Sequence, residues 1–286
     1  MSYKIAVSSG HGINTEGKRT PPLKENLYIN GKLVRQKGQT IHEKEFNMES
    51  AKYLISALKR CGFEVLNVSE GTSDIPLSER VRKANNWGAD LYISKHYNAL
   101  GNCKYFQEKA RGIVSIYSLG STKGKKLATL IQSELINTHG GFSFGARADK
   151  DISGFRLYEL SQTKMVATLT ESGFMDNIVE AKRMLDPQFQ KADGEATCKG
   201  ICKYFGVKYV TEKEQIPKFI KIIKNVNCRN KPDFSKDEYI VSELKVGEVF
   251  TVVAKVKSNC NTYMYKLKSG LYVTSSKKYV EEYIKK

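Results

Sequence analysis

The first two hundred residues alternate between short apolar runs and amphipathic helical patterns, and this alternation limits the possible folds more than any other feature. The apolar runs, typical of buried strands, are 4–10, 63–68, 89–96, 112–118 and 165–172. The helical patterns, with apolar residues three and four apart, are 46–62, 77–87, 122–136 and two helices across 178–205. Strands that alternate with helices form mostly parallel sheets covered on both faces. The sequence therefore predicts an α/β fold, with a mostly parallel twisted sheet flanked by helices.

A polar segment near residue 210 separates this pattern from a different one. VTEKEQIPK contains Pro217 and lacks apolar periodicity, so we place a linker at 210–217, between a domain of residues 1–209 and a second of residues 218–286. Beyond the linker, β-rich runs such as EVFTVVAKV are separated by turn residues, which predicts a small all-β barrel. Residues 217–286 carry 15 Lys and Arg against 7 Asp and Glu. This basic tail is interpreted as an attachment module.

Charge and composition narrow the function classes. The formal charge of +17 is compatible with nucleic acid or with an anionic polymer such as a bacterial wall, but no nucleic-acid recognition motif accompanies it. No apolar run is long enough to cross a bilayer, and MSYKIAVSSGHG lacks the pattern of a signal peptide. The six cysteines form no C-x-x-C pair, and Cys198 and Cys202, four apart on a predicted helix, are interpreted as core thiols. We therefore expect synthesis in a reducing cytosol, without a signal peptide.

Four polar residues fall at or near strand ends or a helix start. His11 follows the first strand in SSGHG, His96 closes LYISKH, and Glu171 closes MVATLTES. Glu43, in IHEKEFN, lies at the start of the first helix. Ligands of open parallel sheets bind where the strands run out at their carboxyl ends. We therefore expect these four side chains to lie close together.

The chemistry of these side chains suits a metal-dependent hydrolase. Two neutral imidazoles and a carboxylate, with an open fourth position, form a catalytic zinc set, here His11, His96 and Glu43. Zinc lowers the pKa of bound water to about 7. A second carboxylate that is not a ligand can take the proton of that water and pass it to a leaving amine. Glu171 suits that role.

Each of these residues also has a structural interpretation. A histidine near a strand end is more often a hydrogen-bonded core residue than a ligand, and an acid in the first turn of a helix, such as Glu43, is favourable by charge alone. Glu171 could cap the following turn. His42, beside Glu43, competes as a ligand, and His139 in THGGFSFG is expected in a loop.

Four ordered motifs add a family resemblance. SSGHG, EKEFNM, ISKHYNA and LTESGFMDN resemble the signatures of the zinc-dependent N-acetylmuramoyl-L-alanine amidases of the type-3 class, over residues 3–206. The resemblance implies zinc held by His11, Glu43 and His96, with Glu171 as the catalytic acid/base. It implies cleavage of the amide between the lactyl group of N-acetylmuramic acid and L-alanine of the stem peptide. The partner is then bacterial peptidoglycan, not nucleic acid.

The sequence departs from this family in two places. The stretch between the first two motifs is longer than usual, and NLYINGKLVRQ (26–36) predicts a hairpin that turns at Asn30 and Gly31. Lys95 is unusual beside a metal ligand, but side chains alternate along a strand, so it should point away from the site. Ser94 and Asn98 are candidates to orient His96 or to bind substrate.

The tail resembles bacterial Src-homology-3-like wall-binding domains, through NVNCRNKPD (225–233) and SELKVGEVFTVV, although Tyr265 and Tyr272 stand near the places of the usual tryptophans. An amidase domain followed by such a tail is the domain arrangement of a phage endolysin, which is released through holin lesions. The sequence leaves three alternatives open: a host autolysin of the same activity, another zinc wall hydrolase (a carboxypeptidase or deacetylase), and a non-catalytic wall-binding protein.

Overall fold

The computed structural model describes residues 2–212 and 216–284, so part of the predicted linker, residues 213–215, lies outside the described residues. The chain divides into two compact units, the first of which ends at Glu212. Among the described residues, no helix combines the length and the apolar composition needed to cross a membrane.

The first unit is built on a sheet whose strands follow the apolar runs. Its strands, together with those of a small hairpin, are β1 (Lys4–Ser9), β2 (Leu27–Ile29), β3 (Lys32–Arg35), β4 (Glu64–Asn67), β5 (Leu91–Asn98), β6 (Ile113–Tyr117), β7 (Ser143–Ala148) and β8 (Val166–Phe174). Within the described residues the main sheet has the order β4-β1-β5-β8-β6-β7. Neighbouring strands run parallel, except that β6 and β8 pair antiparallel. The prediction of a mostly parallel sheet is confirmed.

The helices of this unit vary in length, and several of them begin at a residue whose side chain caps the helix. They are α1 (Glu43–Arg60), α2 (Leu77–Trp87), α3 (Thr122–His139), α4 (Asp149–Ser153), α5 (Tyr158–Ser161), α6 (Ile178–Arg183) and α7 (Pro187–Phe205). The Ser121 hydroxyl accepts a hydrogen bond from the Gly124 N–H at the start of α3. Asp186 caps α7, whose first residue is Pro187, and Gly206, which follows the last residue of α7, has φ 69°.

The core lies on both faces of the sheet because side chains alternate along each strand. Ile5 and Val7 of β1 pack with Leu54 of α1 and with residues of α3 and α7. Ala6, between them, faces the opposite cluster with Ala84 of α2. Each large apolar side chain buried in this way contributes about 1.5–3 kcal/mol. Helices cover both faces, as predicted.

The inserted hairpin has the expected turn. β2 and β3 pair antiparallel around Asn30 (φ 51°) and Gly31 (φ 77°), and two left-handed residues are what a type I′ turn requires. The edge strand β7 and the short helices α4 and α5 were not predicted from the sequence.

The second unit is all-β, as predicted, and its strands run antiparallel. They are β9 (Phe219–Ile222), β10 (Val226–Arg229), β11 (Ile240–Leu244), β12 (Val249–Lys257), β13 (Tyr263–Leu267), β14 (Tyr272–Thr274) and β15 (Val280–Glu282). Across the described residues the order is β11-β10-β14-β13-β12-β9-β15, with a 3-10 helix at Asp237–Tyr239. Ile220, Cys228 and Val273 are fully buried in its core.

Candidate metal centre

His11 lies one residue beyond Gly10, at the carboxyl end of β1, in a left-handed backbone conformation with φ 58°. A β-carbon at Gly10 would lie 2.1 Å from Cε1 of His96, so only glycine fits against the His96 imidazole. The Gly10 N–H also donates to the Lys95 carbonyl at 2.9 Å. The sharp turn of SSGHG therefore brings the first histidine to the end of β5.

Glu43 is the first residue of α1 and is 1% exposed. Its Oε1 accepts hydrogen bonds from the Tyr97 N–H and from Nδ2 of Asn47, each at 3.0 Å. Asn47 also donates to the Gly10 carbonyl at 3.1 Å, so one amide links the helix to the glycine turn. Asn47 was not predicted as a site residue, although a residue four positions after Glu43 shares its helix face.

The structure brings the three predicted ligands together. Nδ1 of His96 lies 3.1 Å from Oε1 of Glu43, and Nε2 of His11 lies 3.4 Å from Oε2 of the same carboxylate. The two imidazole rings are 5.0 Å apart and nearly perpendicular. One donor atom from each of the three residues lies within 4.8 Å of the others. The donor set therefore fits a zinc ion with at least one open position.

Burial and contacts within the cluster shift the pKa values of its ionisable groups. Burial lowers the pKa of His11 to about 4, which keeps its imidazole neutral at neutral pH, as a ligand must be. Burial opposes ionisation of Glu43, but the hydrogen bond from His96 and the charge that His11 carries when it is protonated at low pH lower the pKa of Glu43 to about 2. Glu43 is therefore an anion throughout the physiological range.

The far nitrogen of His96 faces a second buried carboxylate, Glu159 of α5. Nε2 lies 3.1 Å from the Ser94 hydroxyl and 3.6 Å from Oε2 of Glu159. Glu159 also accepts hydrogen bonds from the Tyr92 hydroxyl and, at 3.0 Å, from the Ser8 hydroxyl. Burial opposes its ionisation, yet the hydrogen bond from His96 lowers its pKa to about 2. Such a contact fixes the tautomer and the ring orientation of a metal-binding histidine.

Glu171 lies across from these ligands on β8. Its Cα pairs with His96 of β5 on one side and with Val114 of β6 on the other. Its Oε2 is buried, and no hydrogen-bond partner lies near it in the described part of the chain. Burial raises the pKa of Glu171 to about 8, helped by the negative charge of Glu43. A carboxyl group in this state can both accept and return a proton near neutral pH.

The two substrate-binding candidates lie in different environments. Ser94 is fully buried and its hydroxyl contacts His96, which suits it to orient the ring. Asn98 is half-buried at the end of β5, where its Oδ1 accepts the Ala99 N–H at 2.8 Å. Lys95 points away from the site, as expected, because its ammonium lies 2.8 Å from Asp193.

The remaining histidines do not join the cluster. His42 caps α1, where its backbone N–H donates to Glu45 at 2.9 Å. His139 was expected in a loop, but it is the last residue of α3 and its Nε2 lies 3.8 Å from Asp193. The loop prediction was wrong because the helix continues past the last apolar residue of its pattern.

A second group of potential metal ligands lies in the hydrophobic core. Cys61 at the end of α1 meets Cys198 and Cys202 of α7, with Cys198 Sγ 3.8 Å from Cys61 Sγ and 3.9 Å from Cys202 Sγ. All three belong to the apolar cluster between the helices and the sheet. This environment matches the interpretation of core thiols.

A family model described as N-acetylmuramoyl-L-alanine amidase matches residues 5–203, which includes every residue of the metal cluster and Glu171. The chain belongs to the N-acetylmuramoyl-L-alanine amidase family. A separate model, for a domain of unknown function, matches residues 209–280. The resemblance of the tail to Src-homology-3-like domains therefore stays a prediction.

Several relatives support membership of the amidase family. The chain is 32% identical to the endolysin of Bacillus phage SPP1 over 294 residues, covering 98% of each protein. It is 28% identical to the germination-specific N-acetylmuramoyl-L-alanine amidase of Bacillus subtilis (strain 168) over 60% of this chain and 74% of the relative. Among solved structures, the N-acetylmuramoyl-L-alanine amidase from Clostridium difficile 630 superposes with a TM-score of 0.59 at 25% identity, covering 72% of this chain and 98% of that one.

Proposed function

We propose that the protein is a zinc-dependent peptidoglycan hydrolase that cleaves the amide between the lactyl group of N-acetylmuramic acid and L-alanine of the stem peptide. The observation that carries the proposal is the convergence of His11, Glu43 and His96, with Glu171 on the adjoining strand. The buried Oε2 of Glu171 has no hydrogen-bond partner among the described residues. Membership of the amidase family indicates which bond is cleaved.

The three converging side chains would hold the zinc ion through Nε2 of His11, Nδ1 of His96 and a carboxylate oxygen of Glu43. When bound there, zinc supplies a water of lowered pKa and polarises the scissile carbonyl. Buried Tyr97 and Asn47 hold the Glu43 carboxylate through its Oε1, and the Ser94 hydroxyl and Glu159 hold the far side of His96. These contacts fix the orientation of the ligand side chains.

Glu171 performs the proton transfers of the reaction. Its carboxylate accepts the proton of the attacking water as the new carbon–oxygen bond forms. It then donates that proton to the alanine nitrogen as the carbon–nitrogen bond breaks, which leaves a muramic acid carboxyl and a free amino terminus. In the metal-free protein burial raises the pKa of Glu171 to about 8, so this carboxyl can take up and release a proton near neutral pH.

We further propose that the protein acts as a phage endolysin and that its C-terminal unit binds the wall. Similarity to the SPP1 endolysin extends over 98% of both chains and therefore includes this unit. The excess of Lys and Arg over residues 217–286 favours anionic wall polymers as its ligand. In this role the protein is made in the cytoplasm and reaches the wall through holin lesions.

Isolated peptidoglycan tests the proposed bond directly. Purified protein is expected to lower the turbidity of isolated walls and to release new amino-terminal L-alanine without new reducing sugar ends. A metal chelator is expected to stop both, and added zinc to restore them. Release of C-terminal D-amino acids or of acetate instead would assign a carboxypeptidase or a deacetylase, and intact walls would refute the enzymatic proposal.

A further inference from the structure

A cavity of about 850 Å³ opens near the carboxyl end of β8. It is lined by α6, by the segment that precedes β6 and by the loop that follows α3. The Glu180 carboxylate, in its wall, accepts the backbone N–H groups of Phe174 at 2.8 Å and Gly112 at 3.0 Å. These bonds attach the cavity wall to β8, the strand that carries Glu171, and to the segment just before its neighbour β6.

The strand register places this cavity beside the catalytic carboxyl. Val114 of β6 pairs with Glu171, and Gly112 lies two residues earlier on the same chain segment. Two residues of strand span about 7 Å. Gly112 has φ 118°, and a β-carbon there would lie 2.7 Å from the Phe142 carbonyl, so glycine allows the loop after α3 to approach closely. One or two residues of an extended peptide would reach from the scissile bond to this cavity.

The cavity rim carries exposed cations. Lys24, Arg111 and Arg183 line it, with Glu108 and Glu180 as the acids. The Glu180 carboxylate is already engaged by two backbone N–H groups, and burial raises its pKa, so its charge opposes the cations weakly. The rim therefore presents positive charge to a ligand.

The two arginines are available for a ligand. In residues 2–212, neither Arg111 nor Arg183 forms an ion pair, whereas Arg60 is held by Glu195 at 2.6 Å. The Arg183 guanidinium lies 5.9 Å from the ring centroid of Phe189, which supports the side chain from one side. A guanidinium held in this way has free N–H groups for a carboxylate, which it binds through two parallel hydrogen bonds.

Apolar side chains complete the surface. Phe142 and Val179 line the cavity and are 54% and 60% exposed. Exposed apolar groups beside unpaired cations suit a ligand that has both an aliphatic stem and an anionic group.

We propose that this cavity is the subsite for the stem peptide, and that Arg111 and Arg183 bind the free carboxylate of the acidic residue that follows L-alanine. The proposal rests on the proposed amidase function. It makes these two arginines specificity determinants: a stem whose second residue is D-glutamate is preferred to one whose second residue is the uncharged D-isoglutamine.

Two soluble substrates that differ only in this group test the proposal. The same glycan fragment is prepared with the stem L-Ala-γ-D-Glu-L-Lys and with the stem L-Ala-D-isoglutamine-L-Lys, both linked through the γ-carboxyl, and kcat/KM is measured for each. We expect the wild-type protein to favour the acid by about tenfold or more, since a hydrogen bond to a charged group contributes about 1.5–3 kcal/mol. In Arg111→Gln, Arg183→Gln and the double variant this ratio should fall toward one. Arg82→Gln, an exposed arginine of α2, is the matched control and should keep the wild-type ratio.

The outcomes separate this proposal from the amidase function. If wild-type protein cleaves neither fragment nor isolated walls, the amidase function is wrong. If it cleaves both fragments equally or prefers the amide, or if the double variant keeps the preference for the acid, the amidase function stands and the arginine subsite is refuted. If the protein cleaves isolated walls but neither fragment, its cleavage rates are compared instead on walls with and without amidated D-glutamate. Circular dichroism of each variant confirms that the fold is retained.

Discussion

His96 and Glu171 occupy paired positions on the neighbouring parallel strands β5 and β8. Because the pairing is held by backbone hydrogen bonds, the separation of the proposed ligand from the proposed acid/base is set by the rigid centre of the sheet. Only His11 and Glu43 reach the site from a turn and a helix start. The arrangement is therefore largely preorganised, which is what proton transfer at a fixed distance requires.

Replacing Glu171 by Gln removes the proton acceptor and leaves the volume of the side chain nearly unchanged. We expect the rate of amide cleavage to fall by about 10²–10⁴-fold, the usual contribution of general acid–base catalysis. Zinc should remain bound at one ion per catalytic site, because Glu171 is not among the converging donor atoms. Glu64→Gln, an exposed residue of β4, is the control. Wild-type rates in Glu171→Gln would exclude this role for Glu171.

The same substitution should change how stability depends on pH in the metal-free protein. Burial raises the pKa of Glu171 from 4.5 to about 8, so the fold favours the protonated carboxyl. Its contribution to stability is fully present below pH 4.5 and is lost as the pH rises through about 8. Urea unfolding should therefore show wild-type stability declining relative to Glu171→Gln across this window. A difference between the two proteins that is independent of pH would show that the carboxyl is not perturbed.

Glu159 should act as a positioning residue for zinc. In Glu159→Gln the carboxylate beside Nε2 of His96 is replaced by an amide, and we expect zinc affinity to fall by about 10–100-fold, as is typical for outer contacts of metal ligands. Competition with a fluorescent chelator measures this affinity. Glu134→Gln provides a matched control, because Glu134 is also largely buried but pairs with Lys203, between α3 and α7. Equal zinc affinities in all three proteins would mean that Glu159 has only a structural role.

Gly10→Ala should disrupt the centre by sterics alone. The added methyl group would lie 2.1 Å from Cε1 of His96, so the imidazole must leave its present position. We expect loss of zinc binding and of amidase activity in a protein that still folds, because the displaced ring lies near the carboxyl end of β5 and outside the apolar clusters. Zinc content by mass spectrometry, with circular dichroism for the fold, decides the outcome. Stoichiometric zinc in Gly10→Ala would show that His96 is not held as described.

The motifs and the strand pattern predicted the converging residues because each lies at the end of a strongly patterned element. The sequence did not predict Glu159, because α5 spans only Tyr158–Ser161 and has no apolar period that would place it. The edge strand β7 was missed for a related reason: five of its six residues, from Ser143 to Arg147, are exposed or half-buried, so no alternation of burial marks it. The positions of Glu159 and of β7 depend on tertiary contacts, which a local sequence pattern does not reveal.

The most direct test of the metal centre is X-ray absorption at the zinc edge of the zinc-loaded protein, combined with zinc stoichiometry in His11→Ala and Cys198→Ser. The account predicts nitrogen and oxygen neighbours at about 2.0–2.2 Å. It also predicts loss of this zinc in His11→Ala and its retention in Cys198→Ser. Sulfur neighbours at about 2.3 Å that disappear in Cys198→Ser would place the ion among the core thiols and contradict the proposed centre.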